Sequence, residues 1–289
     1  MNYHVLGAAV LFGFIEGCIL FLVSIGLSLC FGVMRIISLD QCGYYVLGAY
    51  ITYTFTLLTG SYWFGLLIAM TVIAFIGFSI ERVIFKNVYA KPVSYTMIIS
   101  FGTLLLITGL TKYIWGLNAI PVAQPISGTF YIFGVKMPIY RLFIVIMTFL
   151  IYIFICFFLN KTIIGKAIRA SIEDVEKVEA LGINAYNLFT ITFVIACILS
   201  GLGGALHAPL IMAEPYMGYN IMLYMFITAV LGGLGSVKGT MIAAIIIGET
   251  MSIGSVIWAP STIMVPFVTF IIVLLVKPTG LFGSKLLKR

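Results

Sequence analysis

The chain has 289 residues, of which 62% are hydrophobic and only 9% charged, with a net charge of +7. Soluble domains carry about 25% charged residues, so too little polar surface exists here to cover a water-soluble globule. Continuous apolar runs in place of short alternating segments exclude an outer-membrane barrel, and basic residues spread over the ends of those runs point to membrane orientation and not to nucleic acid.

At about 20 residues per crossing the length accommodates about eight or nine helices. Residues 1–289 are therefore expected to form one all-α, polytopic transmembrane bundle without a separate soluble domain. The first run follows Met1-Asn2-Tyr3-His4 with no basic region of the kind a cleaved signal peptide carries, and reads as a retained span. Predicted spans cover about 5–32, 44–59, 62–81, 94–114, 138–159, 187–211, 219–234, 239–257 and 262–276. Pro92, Pro121, Pro125, Pro138, Pro260 and Pro278 fall near their ends, as helix breakers should. Arg35-Ile36-Ile37-Ser38-Leu39-Asp40-Gln41 interrupts the first two runs. Gly232-Gly233-Leu234-Gly235-Ser236 interrupts the last third, so the short run 219–234 reads as a broken or re-entrant helix. Such breaks mark transport pathways.

Cytoplasmic loops are the basic ones. With nine spans, Arg35, Arg82, Lys86, Lys91, Lys161, Lys166, Arg169, Lys177, Lys238, Lys277, Lys285, Lys288 and Arg289 share one side, and Lys112, Lys136 and Arg141 the other. This places the N-terminus outside, the 115–137 loop outside, and the 160–186 loop and the C-terminus in the cytoplasm. An even number of spans would break the assignment. The 160–186 loop holds about a third of all charged residues between two apolar flanks. Ionised groups cost several kcal/mol each at the bilayer centre, so the loop stands in water as a handle for a soluble partner.

Several chemistries are missing. Gly165-Lys166 lacks the glycine of a phosphate-binding loop five residues earlier, where Asn160 stands, and Ala167 replaces the magnesium-binding Ser or Thr. Cys18, Cys30, Cys42, Cys156 and Cys197 have no metal or disulfide spacing and read as small buried hydrophobes. His4 and His207 are too few for a haem bundle, and no catalytic motif is present. Glu16 and Glu249 lie inside predicted spans and are candidates for the translocation path, with Ser38 and Gln41 at the first break. Capping is the expected role of Asp40 and Gln41. Gly13/Gly17 and Gly235/Gly239 have the small-xxx-small spacing of close helix packing; Gly232 and Gly233 belong to the same glycine block.

Four blocks carry a resemblance. Gly165-Lys166-Ala167-Ile168-Arg169-Ala170 followed by Glu179-Ala180-Leu181-Gly182-Ile183 resembles the ATPase-docking loop of branched-chain amino acid ABC transporter permeases. Gly26 to Ile37 with Leu47-Gly48-Ala49-Tyr50, then Leu231 to Ser236 with Gly239, then Lys277-Pro278-Thr279-Gly280-Leu281-Phe282-Gly283 resemble that family's other blocks, in order along the chain. The length is similar to the shorter of the two permease subunits. Where the family carries Asn-Phe-Ala-His-Gly, this chain has Ser38-Leu39-Asp40-Gln41-Cys42, and Glu16 replaces an apolar residue, so the departure bears on substrate.

The resemblance implies a type II-like ABC importer permease in a prokaryotic cytoplasmic membrane, carrying branched-chain or other small amino acids, with urea or short amides as the alternative cargo. Its implied partners are a second permease, homologous or identical, two cytoplasmic ATPases that use ATP and Mg, an extracytoplasmic solute-binding protein, and lipid. This chain itself would bind no cofactor. A coupling helix over 165–182 is expected, bounded by Gly165 and Gly182, with Arg169 and Glu179 offering ion pairs, Ala170 and Ala180 allowing close approach, and Ile183 closing the motif. Two other classes compete: a secondary transporter with Glu16 or Glu249 carrying the coupling ion, and a passive channel for urea-like solutes. Neither needs a docking loop.

Overall fold

The computed structural model describes residues 3–89, 91–132, 135–258 and 261–283. The expectations for Pro260, Lys285, Lys288 and Arg289 lie outside the described residues. Eleven helices are described: α1 (Tyr3–Met34), α2 (Gln41–Thr59), α3 (Tyr62–Val83), α4 (Val93–Trp115), α5 (Ile139–Lys161), α6 (Ile163–Glu173), α7 (Val175–Ala180), α8 (Ala185–Ile211), α9 (Met217–Gly232), α10 (Val237–Ile257) and α11 (Ser261–Val276). The bounds follow the apolar runs closely, because backbone groups in hydrocarbon can only be satisfied within a helix.

Six helices (α1, α3, α4, α5, α8 and α10) are long and apolar enough to cross a membrane. The tyrosines and threonines of α2 make it too polar to join them by composition, and α9 and α11 have 16 residues each. At 1.5 Å per residue those two reach about 24 Å, short of the roughly 30 Å hydrocarbon layer.

Helix α1 is the axis of the bundle. Ile19, Phe21, Leu22, Val23 and Ile25 are all buried, so no face of its middle is free, and α5, α8, α9 and α10 wrap it. Helices α3, α4, α5 and α11 instead expose large apolar side chains, among them Phe75, Ile98, Phe154 and Leu275. In water such a belt would drive aggregation; in lipid it is the solvated surface of a multi-pass membrane protein.

The helices meet through missing side chains. A β-carbon on Gly204 of α8 would overlap the Tyr45 carbonyl of α2, and one on Gly48 would overlap the Gly201 carbonyl. On the other side of α1, a β-carbon on Gly17 would lie 2.8 Å from the Ala244 carbonyl oxygen of α10, and one on Gly13 would lie 2.9 Å from the Gly248 carbonyl oxygen.

The segment 115–137, read as a loop, holds all but the last residue of an antiparallel hairpin: β1 (Thr129–Ile132) pairs with β2 (Val135–Pro138), Thr129 opposite Pro138. An isolated bridge between Ile120 and Ala213 ties this segment to the α8–α9 connection. It belongs to one end of the bundle, with the α2–α3 turn and the C-terminal end of α10. The α3–α4 turn, α6, α7, the α9–α10 turn and residues 277–283 form the other end.

Candidate functional site

Three places concentrate polar chemistry. The first is the break between α1 and α2. Arg35 ends α1 in the left-handed region at φ 55°, and residues 35–40 then run back into the bundle. Ser38, Asp40 and Gln41 are fully buried there. Ser100 of α4 holds the extended backbone, its hydroxyl donating to the Ile37 carbonyl at 2.8 Å and accepting from the Leu39 N–H at 3.2 Å. The Gln41 amide donates to Ser38 Oγ at 3.1 Å, and Ser200 of α8 donates to Gln41 Oε1 at 2.9 Å. Ser38 in turn hydrogen-bonds Asp40 Oδ1.

The capping expectation for Asp40 fails. Its backbone carbonyl starts α2, accepting from the Gly43 and Tyr44 N–H groups, but its carboxyl makes no cap and points to Ser38. Asp40 Oδ2 has no partner among the described residues. A buried carboxylate oxygen without a donor is costly, which disfavours the charged form here. Asp40→Asn is therefore expected to unfold within about 1 kcal/mol of the parent. Asp40→Ala, which strands Ser38 and opens a void, should cost about 1–3 kcal/mol. Thermal unfolding of the detergent-purified variants checks this, and a destabilised Asn variant would mean that the negative charge itself is used.

The second place is a cavity of about 210 Å³ between α1, α2, α8, α9 and α10, with Glu16, Tyr45, His207 and Asn220 on its wall. Glu16 is about halfway along α1 with its side chain 46% exposed, and its carboxylate lies 3.7 Å from His207 Nε2. His207 is otherwise buried, and its Nδ1 shares a 2.6 Å hydrogen bond with Tyr45 Oη. Glu249 lies one turn of α1 away: its carboxylate sits 2.9 Å from where a Gly13 β-carbon would be, and Oε2 has no partner among the described residues. Glu16 and Glu249 thus share the α1–α10 side of the bundle, while Ser38 and Gln41 lie at the α1–α2 break.

The third place is the end that carries α6 and α7. The single helix expected over 165–182 is two helices, because Asp174 is extended (φ −161°) and caps α7 by accepting from the Lys177 N–H at 3.2 Å. Lys177, whose ammonium lies 3.1 Å from the same carboxylate, holds the Asp174 carboxyl below the usual carboxylate range. That contribution is present at neutral pH and is lost as pH falls through the lowered value. Gly165 does not bound the helix but is buried in its first turn, where a β-carbon would overlap the Phe158 carbonyl at the end of α5. Arg169 hydrogen-bonds Asn160, and neither Arg169 nor Glu179 has an ion pair among the described residues. Ala170, Glu179, Ala180 and Gly182 are exposed and Ile183 is half-buried. Gly182 has φ 83°, and a β-carbon added there would meet nothing within 4 Å.

Three sequence blocks converge beneath α6. Gly232 and Gly239 press together, a β-carbon on Gly232 lying 2.6 Å from the Gly239 carbonyl carbon. Gly235 is not on a helix face paired with Gly239; it lies in the α9–α10 turn at φ 86°. Its N–H donates to Ser28 Oγ of α1 at 3.1 Å, and it abuts Gly32. Leu281 and Phe282 N–H groups donate to the Leu231 and Gly232 carbonyls at 2.8 and 3.1 Å, so the 277–283 segment caps α9 and packs on Gly233. Ile172 of α6 touches this Gly32–Gly235 contact from the loop side.

Residues 9–276 match the family described as branched-chain amino acid transport system / permease component. The chain belongs to that family. It is similar to the high-affinity branched-chain amino acid transport system permease protein LivH of Salmonella typhimurium, 27% identical with 91% of this chain and 90% of the relative covered. It is equally similar to the corresponding BraD of Pseudomonas aeruginosa, 27% identical with 91% of each covered. A chain of PsaBC from Streptococcus pneumoniae in complex with Fab shares the fold at TM-score 0.51 and 16% identity, covering 96% of this chain and 94% of that one. A member of a permease family is a transport subunit and not an enzyme.

Sequence reasoning missed several residues of this permease. Glu81 is fully buried near the α6–α7 end and accepts from Tyr89 Oη at 2.6 Å, yet beside Arg82 it looks like an ordinary loop charge. Tyr45, Ser28, Ser100 and Ser200 gave no signal in apolar runs. His207, a lone imidazole in an apolar helix, was the available clue to the cavity.

Proposed function

We propose that this permease is the membrane-spanning subunit of an ATP-driven ABC importer for branched-chain or other small amino acids. The observation that carries the reading is the α6–α7 pair: a charged, water-facing element with Ile163 and Leu181 85% and 79% exposed, seated on the junction of three sequence blocks. Exposed apolar side chains beside charges on a membrane protein's aqueous end suit a soluble partner. Two cytoplasmic ATPases would grip it and use ATP and Mg, a second permease, homologous or identical, would complete the path, and an extracytoplasmic solute-binding protein would deliver the cargo. In this reading the nucleotide and any cofactor are held by the partner subunits.

In this reading residues 1–289 are one type II-like domain whose nine helices α1–α5 and α8–α11 all cross or enter the bilayer of a prokaryotic cell. The N-terminus lies outside, the 115–137 loop outside, and the 160–186 loop with the C-terminus inside, which the distribution of basic residues supports for nine spans. Gly165, Arg169, Ala170, Glu179, Ala180, Gly182 and Ile183 form the docking loop. Movement of α6 reaches α1 and the α9–α10 turn through Ile172, and so the helices around Glu16, Ser38, Gln41 and Glu249, which line the path. A half-exposed carboxylate halfway along α1 is costly against lipid, which supports an α1–α10 face turned towards the second permease.

The test is reconstitution with its ATPases and binding protein in liposomes. Leucine uptake should require ATP and fall to background without it, and leucine-loaded binding protein should stimulate hydrolysis. Uptake that persists without ATP and follows an imposed proton gradient would reject the importer reading.

A further inference from the structure

The cavity beside α1 carries a more specific chemistry, and its use rests on the importer reading. Glu16 makes no hydrogen bond to the described residues, and the nearest polar group, His207 Nε2, stands 3.7 Å away, too far for one. The Arg141 guanidinium, the cation on the neighbouring α5, is stacked 4.3 Å over the Phe12 ring and makes no ion pair with Glu16. The carboxylate therefore presents acceptor capacity that no donor among the described residues fills.

His207 is fixed from behind. The Tyr45 hydroxyl hydrogen-bonds Nδ1, and with the phenol donating, the ring's proton is assigned to Nε2. Nε2 is buried and unpartnered among the described residues, and in this tautomer it presents its N–H on the cavity wall beside the Glu16 carboxylate. One donor and one anionic acceptor are thus held side by side, both unsatisfied. The rest of the wall is mostly apolar, Ile19, Leu20, Ile221 and Met251 among it, with Asn220 and Tyr224 as its other polar side chains. At roughly 30 Å³ per water, the cavity of about 210 Å³ holds about seven waters or one small solute.

We propose that this cavity is a substrate subsite for a small solute that joins a cationic primary amine to a short aliphatic chain, Glu16 taking the ammonium and His207 Nε2–H an adjacent oxygen. A hydrogen bond in which donor and acceptor are both ionised adds ion pairing to the bond a neutral N–H could make to the same carboxylate, and only a cation supplies that addition. A neutral amide or urea leaves Glu16 without an ion pair, its nearest fixed cation being the Arg141 guanidinium that stacks on Phe12. The permease then selects by the ammonium group independently of the binding protein that delivers the cargo.

The test uses the permease–ATPase complex in nanodiscs without binding protein, carrying Met251→Cys as a reporter. Its alkylation by a water-soluble maleimide is measured against L-leucine, 3-methylbutylamine and 4-methylpentanamide. Leucine and the amine should protect the cysteine and the amide should not. Glu16→Gln should raise the leucine needed for half-protection about thirtyfold, while Glu16→Asp stays within a few-fold. Should the Gln variant not assemble, the three probes on the Met251→Cys parent decide alone. A cysteine inert in every nucleotide state, equal protection by the amide, or unchanged protection in Glu16→Gln overturns the subsite. ATP-driven leucine uptake by the complete importer separates the two readings: uptake without protection removes the subsite alone, and protection without uptake removes the importer reading alone.

Discussion

Gly204→Ala is expected to keep the permease from accumulating as a folded protein, while Gly102→Ala is expected to be silent. Both are helical glycines in an apolar chain, and sequence alone does not tell them apart. A methyl at 204 would overlap the Tyr45 carbonyl, a backbone atom that cannot rotate away. Helices α2 and α8 would have to separate, and the reciprocal seat of Gly48 on the Gly201 carbonyl would separate with them. Overpacking a tight core costs about 1–3 kcal/mol and more where backbone must shift, against a total stability of only about 5–15 kcal/mol. The shift would also break the Tyr45–His207 hydrogen bond. Gly102 on α4 faces outward with nothing within 4 Å, so its methyl meets only lipid. Size-exclusion profiles and thermal midpoints of the two variants in detergent check the contrast. A monodisperse Gly204→Ala protein with the parent's midpoint would refute the close α2–α8 approach.

The spans were legible because hydrocarbon imposes one rule on every residue of a run, so composition alone marks α1, α5 and α8 to within a few residues. The breaks at 35–40 and 233–236 were legible for the same reason: polar residues and glycines interrupt runs that could otherwise continue. Asp174 shows the limit of local reading. An N-capping aspartate with Lys177 three residues on is a helix start inside an apparently continuous helical segment, and the tertiary setting decides that α6 stops there. The hairpin was similarly hidden, its strands being short apolar runs on either side of Gly134 in a segment dominated by proline.

Pairings across the bundle left no local trace. Glu16 and His207 are 191 positions apart by sequence number, and each reads as an isolated oddity in an apolar helix. The same holds for the seat of the 277–283 segment on the end of α9, and for Ser28 under Gly235. Each glycine block is understandable alone as a turn or a packing face. Their shared purpose, a junction touched by Ile172 from the α6 side, exists only once the chain is folded. In the proposed importer that junction would carry a push on the surface loop to α1, the helix that α5, α8, α9 and α10 pack around.

Gly182→Trp and Glu179→Arg are expected to leave the permease inserted and folded but to abolish coupled uptake. Neither position supports the bundle: a β-carbon at Gly182 would meet nothing within 4 Å, and Glu179 is exposed without an ion pair among the described residues. A tryptophan at 182 is strained at φ 83° and fills the clearing beside exposed Leu181, while arginine at 179 reverses the charge next to Ala180. Loss of a central contact in a protein interface costs about 2 kcal/mol or more, roughly a thirtyfold weaker ATPase association. Lys136→Glu on the hairpin at the opposite end should leave association at the parent level, which separates a local effect from a general one. Co-purification of ATPase with tagged permease, followed by uptake in liposomes, reads both steps. Because α6 rests on Gly32 and Gly235 through Ile172, which neither substitution touches, a variant that still binds ATPase yet fails to transport would place the fault in transmission through that junction. Parent-level ATPase binding by both variants, with normal uptake, would remove α6 and α7 as the docking element.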